Sequence, residues 1–174
     1  MKKIVLICLI IFVQLTLAQT SKEYKRIQLQ ALKNIKGVGI YVWDIENIND
    51  LNKKIRNTLI SKKIEIFVEK ELKKNRLKTV SFEKANTLAG APCFDVQIKI
   101  KTDDFSGFCL YFVEGRFVQD VFLARNKRIK HLSTITWRDS DFGIVFVENL
   151  KDNIYKSLKK IINKFSKEFR RVNR

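Results

Sequence analysis

Phe94, Val96, Ile98 and Ile100 alternate with Asp95, Gln97, Lys99 and Lys101. Successive side chains on a strand point to opposite faces, so this run specifies a strand with one buried and one wet face. A sheet of such strands needs a cover on its apolar side only. The C-terminal segment is the natural cover. Leu150, Ile154, Leu158, Ile161, Ile162, Phe165, Phe169 and Val172 recur at spacings of three and four, the stripe of an amphipathic helix. Lys156, Lys159, Lys160, Lys164, Lys167 and Arg171 take much of the remaining helix surface. Asn149 and Asp152 have the spacing of a capping pair at its start.

The other elements are shorter. Residues 37–45 (GVGIYVWDI) are β-rich and suit a first strand. Asn49 or Asp50 can cap a helix carrying Leu51, Ile55 and Leu59. Ser61 restarts it, with Ile64, Phe67, Val68 and Leu72 on one face. Lys73 and Lys74 suit its negative C-terminal end, and Asn75 closes it. A short strand is expected at 77–80, then a loop over 81–92 that ends in Gly90-Ala91-Pro92. Residues 108–113 and 117–124 read as strands, with Glu114-Gly115 either a tight turn or a bulge within one long strand. Residues 131–138 (HLSTITWR) form a further strand. The order β-α-β-β-β-β-α predicts an α+β two-layer sandwich: a mostly antiparallel sheet under two amphipathic helices.

The N-terminus reads as an export signal. Met1, Lys2 and Lys3 make a positive start, residues 4–17 are almost continuously apolar, and Thr16-Leu17-Ala18 puts a small residue before Gln19. The apolar run is shorter than the roughly 20 residues a spanning helix needs, so cleavage between Ala18 and Gln19 is expected rather than anchoring. Cys8 lies inside the apolar core rather than just after the cut, which argues against lipid attachment. Removing 18 of the 174 residues leaves 156, enough for one domain with its own core. We expect a lead-in over 19–36 and a single α/β domain over 37–174, exported to the periplasm or cell envelope, with no transmembrane span after cleavage.

The chain carries 35 Lys and Arg against 18 Asp and Glu, a net charge of +17. Lys2 and Lys3 leave with the leader and no acid does, so the mature chain carries +15. That excess suits an anionic envelope polymer or an envelope protein as partner. The lysines are spread along the chain rather than gathered in one block, which is also the pattern of a solvated basic surface. Nucleic acid is not expected, because no zinc-ligand spacing, glycine-rich phosphate loop or RNP-type strand is present.

By this point the segments resemble an uncharacterised family of small exported bacterial proteins. The resemblance runs from about Leu32 to Asn173. It rests on GVGIYVW, IEIFVEKELKKNRLKTVS, GAPCFDVQIKI, VFLAR, Thr136-Trp137 and the closing helix ending in Val172-Asn173. It implies an envelope or periplasmic location and a compact α/β domain, and implies no reaction. Cys93 and Cys109 stand where ordinary strand residues are expected of such proteins.

The chemistry-bearing residues point away from catalysis. A hairpin centred on residues 103–107 pairs Cys109 with Ile100 and leaves Cys93 seven residues further on, about 23 Å away. A disulfide needs Cα atoms within about 7 Å, so the two are free thiols or pair elsewhere. His131 is the sole histidine and has no evident nucleophile partner. Asp139-Ser140-Asp141, with Gly143 nearby, reads as a turn rather than a cation site, since hard cations want about six oxygens. Asp141-Phe142-Gly143 matches a kinase triplet without the accompanying loops. Glu65, Glu69 and Glu71 lie on a lysine-rich helix, where Glu65 and Glu69 at i,i+4 read as a solvated face, with Glu69–Lys73 as local support. No catalytic, metal or cofactor residues are assigned. Trp43, Arg125, Trp137 and Arg138 stand out: if the strand ends meet, an aromatic and two guanidinium groups would suit an anion or sugar, which makes Arg125, Trp137 and Arg138 the candidate binding surface, while the plainer alternative, which the sequence favours, packs Trp137 in the core and leaves both arginines solvated. The leading expectation is therefore a non-enzymatic binding or assembly domain; the alternative is a periplasmic hydrolase using carboxylates. Mass spectrometry of the exported protein should find Gln19 as its first residue, and a retained apolar N-terminus would overturn the cleavage reading.

Overall fold

The computed structural model describes residues 30–47, 51, 53–102, 107–123 and 126–173, and for 53, 54, 122, 123 and 126–131 the backbone alone. Strand β1 (Gly39–Val42) is followed by a single turn, α1 (Lys53–Arg56), then α2 (Ser61–Lys74) and α3 (Phe82–Thr87). Three long strands come next, β2 (Cys93–Thr102), β3 (Phe108–Leu123) and β4 (Asn126–Phe146). A 3₁₀ turn (Val147–Asn149) leads into α4 (Leu150–Val172). The sheet order is β1-β2-β3-β4. β1 runs parallel to β2 and the other pairs are antiparallel. The fold is the expected α+β two-layer arrangement, with α1–α3 forming the crossover that a parallel β1–β2 pair requires.

The alternation in β2 does what its pattern dictates. Phe94, Val96, Ile98 and Ile100 are buried in one core with Ile64, Val68 and Leu72 of α2 and Leu150, Ile154, Leu158, Ile161, Ile162 and Phe165 of α4. Phe165 is the hub, with ring centroids 4.9 Å from Phe94, 5.3 Å from Phe117 and 5.0 Å from Trp137. Burying each such side chain contributes about 1.5–3 kcal/mol. The core reaches back to Leu32, which is fully buried. Asn173 ties the two ends of the domain: its Nδ2 donates to Leu32 O at 2.6 Å, and its Oδ1 accepts from Asn34 N at 2.8 Å.

Helix α2 starts at Ser61, as its spacing predicts, and ends in a Schellman motif. Arg76 takes the left-handed backbone (φ 64) while Leu77 N bonds Leu72 O at 3.1 Å and Arg76 N bonds Lys73 O at 2.8 Å. The expected cap at Asn49 or Asp50 lies outside the described residues.

Of the two readings of Glu114-Gly115, the one long strand is what forms: β3 runs unbroken through them, with continuous register against β2 and no bulge there. Gly115 is there for space. A Cβ on it would lie 2.7 Å from Ile161 Cγ2 and 2.9 Å from Phe94 Cζ. Four other local readings are corrected. Asp139-Ser140-Asp141 is not a turn but the middle of β4, which runs on past residue 138. Lysines of α4 hold its two acids: Lys164 Nζ lies 2.6 Å from Asp139 Oδ1 and Lys160 Nζ 3.4 Å from Asp141 Oδ1. Residues 81–92 contain α3, capped by Ser81, whose hydroxyl accepts from Lys84 N at 3.3 Å. Residues 77–80 contribute only a bridge between Val38 and Thr79. Asn149 makes no side-chain cap bond, because the 3₁₀ turn already gives it helical backbone (φ −92, ψ −4).

The hairpin register is also shifted. Cys109 pairs with Thr102 and Ile100 with Tyr111. A slip of two residues keeps every side chain on its expected face, whereas a slip of one would invert the sheet.

Gly115→Ala should cost about 1–3 kcal/mol in urea denaturation through overpacking against α4. Ser140→Ala, on the opposite face, should stay within about 0.5 kcal/mol.

Candidate functional site

Helices α2 and α4 pack on one face of the sheet. The other face carries the alternate residues, and along it the chemistry changes from apolar to polar. At the Phe108–Phe146 end the rings of those two residues stack at 4.1 Å, and Phe142 and Ile144 are 75% and 68% exposed. The middle holds Gln97, Glu114 and Ser140, cross-strand neighbours in register. The far end opens into a cleft of ≈ 700 Å³ whose lining includes Tyr41, Trp43, Phe82, Asp95, Arg116 and Ile135.

The parallel pairing of β1 with β2 builds the first wall. Tyr41 sits beside Asp95 in register, and Trp43 N donates to Val96 O at 3.0 Å, extending the edge by a residue. Residues 41 and 43 therefore project to the same side. Their rings meet edge-on with centroids 5.1 Å apart, and Phe82 of α3 lies 5.3 Å from Tyr41. The three rings remain 38–44% exposed, so their faces are open to the cleft.

The polar floor is a coupled group. Trp43 Nε1 donates to Asp95 Oδ2 at 3.4 Å, and Arg116 Nη2 lies 3.6 Å from the same oxygen. The Arg116 guanidinium stands 5.8 Å from the centre of the Trp43 ring. Arg116 Nε is buried with no hydrogen-bond partner. Burial pushes the Asp95 carboxyl above its usual range, against the hydrogen bonds from Cys93 and Trp43 and the charge of Arg116. The Cys93 thiol is pushed far up by burial, helped by the charge and hydrogen bond of Asp95. It is therefore a protonated donor at neutral pH, unsuited to nucleophilic attack.

The opposite wall comes from irregularities in the β3–β4 pair. Register shifts at Phe117/Val118 and Gln119/Val121 turn this end of the hairpin. Asp120 Oδ1 accepts from Ser133 N at 3.0 Å, and Asp120 N donates to Gly90 O at 2.7 Å. Ser133 (φ 51) and Ala91 (φ 40), both lining the cleft, adopt the left-handed backbone. Such positions cost of order 1–3 kcal/mol each and concentrate at functional sites.

Of the surface expected from Arg125, Trp137 and Arg138, the two described members point to opposite faces of the sheet. Trp137 is 2% exposed and belongs to the core, where its Nε1 donates to Glu168 Oε2 at 2.7 Å. Neighbours on a strand point to opposite faces, so Arg138 lies on the open side, directly across from Arg116. Arg125 and the His131 side chain lie outside the described residues. Glu65 and Glu69 pair with Lys62 and Lys73 at 3.0 and 2.7 Å. Asp139 and Asp141 sit under α4, where Ser157 Oγ also donates to Asp141 Oδ2 at 3.0 Å, and neither lines the cleft. Among the described residues no group of three or more His, Cys, Asp or Glu could hold a metal, and no helix is long and apolar enough to cross a membrane. Cys93 and Cys109 are both buried and unbridged. Thr102, the partner of Cys109, stands nine residues along β2 from Cys93, about 30 Å away.

Tyr41, Asp95 and Arg116 were not singled out by the sequence pattern. The available signals were the Tyr41–Trp43 spacing on one strand and an acid ahead of the amide and lysines on the wet face.

No family model and no curated protein matches the chain. Among solved structures, a Helicobacter pylori protein provisionally described as a neuraminyllactose-binding hemagglutinin homolog is similar at 10% identity and a TM-score of 0.38, over 76% of this chain and 82% of that one. A likeness at that level carries no argument about ligand or activity.

The two thiols should resist a thiol reagent in the native protein and react on denaturation. Their raised pKa also has a sign. The folded chain keeps the Cys93 proton to higher pH than the unfolded chain does. Its contribution to stability is thus whole below the ordinary thiol range, about pH 8.5, and is lost progressively as pH rises from there toward the much higher folded-state value. Cys93→Ala should therefore flatten the alkaline fall of stability between about pH 8 and 10 in denaturant titrations, and an unchanged slope would contradict this.

Proposed function

We propose that the chain is an exported, non-enzymatic binding domain of the bacterial cell envelope, and that the open-face cleft is its ligand site. One observation carries this reading: a cleft of ≈ 700 Å³ with three part-exposed aromatic rings above a buried carboxylate paired with a half-buried guanidinium. That volume is within the roughly 300–1,000 Å³ of small-ligand sites, and the mix of aromatic walls with few polar groups is their usual composition. The export signal at residues 1–18 supports a periplasmic or envelope location and a partner found there, an envelope protein or polymer. The polar groups of the cleft favour holding over reacting. Cys93 is kept as a thiol, and Asp95 is committed to Trp43, Cys93 and Arg116. The carboxylate hydrolase reading loses its motivation, since Asp139 and Asp141 are engaged by Lys164 and Lys160 away from the cleft.

Co-sedimentation of the purified protein with envelope fragments tests the proposal at low and at high salt. Cleft binding should survive 1 M salt, where the Debye length is about 3 Å. Trp43→Ala should weaken it about tenfold, equivalent to ~1.4 kcal/mol. Binding that vanishes in salt and is indifferent to Trp43→Ala would move the function to the lysine-rich surface.

A further inference from the structure

We propose that the apolar end of the open face is a homodimer contact, covered in solution by the same face of a second copy of this chain. The patch is three cross-strand rows of β3 and β4: Phe108 with Phe146, Leu110 with Ile144, and Phe112 with Phe142. Five of these side chains are between 38% and 75% exposed, and Phe112 is half-buried. No polar side chain interrupts the rows on this face. Exposed apolar residues on a soluble monomer are normally scattered singly, and a contiguous block marks a contact surface. β4 is also an edge strand, so no further strand of the sheet flanks the block on its outer side.

Area, shape and charge together select a second copy as the occupant. At these exposures, and with roughly 200 Å² for a phenylalanine side chain, the block presents roughly 500 Å² of apolar surface. A two-fold pair buries about twice that, about 1,000 Å², which reaches the lower limit for a specific interface. The block lies on the flat face of a sheet, four residues along β3 from Arg116 of the cleft. Small ligands take concave sites. A flat apolar sheet face packs instead on another sheet face about 10 Å away, and a two-fold axis supplies that face from an identical chain. Edge-to-edge pairing through β4 is disfavoured by its inward acids Asp139 and Asp141, which leaves the face as the route of contact. The rim offers an anionic partner little. On β2, Lys101 stands beside Leu110 and Lys99 beside Phe112. Lys99 is held by Glu46 at 3.0 Å, and the acids Asp103 and Asp104 follow Lys101 in the sequence. A second copy needs no opposite charge, and the lysine stems can lie along its apolar surface with their heads in water.

The net charge gives the contact a signature. Two copies of a chain with 35 Lys and Arg against 18 Asp and Glu repel one another. Salt shortens the Debye length from about 10 Å at 0.1 M to about 3 Å at 1 M and screens that repulsion, so dimerisation should tighten with salt, whereas contact with an anionic partner weakens.

Sedimentation velocity of the exported, purified protein tests this at both salt concentrations. The wild type is compared with Phe142→Ser/Ile144→Ser, Trp43→Ala and Phe105→Ser, each checked for native circular dichroism. The wild type should dimerise, more tightly at high salt. The double variant changes two side chains that are 75% and 68% exposed, so it should keep its fold and associate at least tenfold more weakly. Trp43→Ala alters the cleft and should dimerise as the wild type does. A wild type that stays monomeric at about 100 μM in both salts would overturn the proposal. So would a dimer that the double variant leaves intact, because the contact would then lie elsewhere. A monomer that binds an apolar dye only after Phe105→Ser would give the patch to residues 103–106 of its own chain, which lie outside the described residues, and overturn the second copy. A monomer that floats with phosphatidylglycerol vesicles at low salt, and fails to do so in the double variant, would overturn it in favour of a lipid surface.

Discussion

The close approach of α4 to the sheet at Gly115 is the contact on which the rest of the structure depends. Ile161 Cγ2 lies 2.7 Å from where a Cβ of residue 115 would be, and one turn on, Phe165 packs among Phe94, Phe117 and Trp137. This contact commits the even-numbered face of β2 to the core. It also places Lys160 and Lys164 over Asp139 and Asp141, so that a sequence with turn composition can run as a strand. Inward-pointing charges of this kind also make β4 a poor template for pairing with another edge.

Covering one face leaves the other to carry function, and the strand period determines what is found there. Each side chain that faces the core has neighbours that face out, so the buried Phe94 brings Asp95 to the open face and the buried Phe117 and Trp137 bring Arg116 and Arg138. Cross-strand register then aligns Tyr41, Asp95, Arg116 and Arg138 in one row. The irregular end of the β3–β4 pair, with Ser133 and Ala91 in left-handed backbone, closes the far side. The cleft is thus a product of ordinary sheet geometry with local distortion confined to one wall.

The sequence was legible where local period decides structure. The alternation from Phe94 to Lys101, the stripe of α4 and the restart of α2 at Ser61 all appear as their spacing predicts. It was illegible where a distant residue decides. Glu114-Gly115 has turn chemistry, and only Ile161 explains why a glycine stands in mid-strand. Asp139-Ser140-Asp141 reads as a turn until the lysines of α4 are placed above it. For the site, Trp43 and Arg138 could be named from the sequence as residues of interest, but their company could not. Trp137 attracts attention for its chemistry, yet the strand period sends it inward to Glu168. Arg116 stands near the expected break in β3, and its meeting with Asp95 and Trp43 depends on a parallel β1–β2 pairing that no local pattern announces.

The proposed working surface is the open face and not the helix-covered one, and the two tryptophans report on the two faces separately. Iodide quenching of tryptophan fluorescence, with and without envelope fragments, tests it directly in the wild type and in Trp43→Phe. In the wild type an iodide-accessible component should appear and become protected when fragments bind. In Trp43→Phe the remaining emission, from Trp137, should be inaccessible throughout. Emission from Trp137 that iodide quenches freely, or a Trp43 component that fragments bind without protecting, would contradict the account.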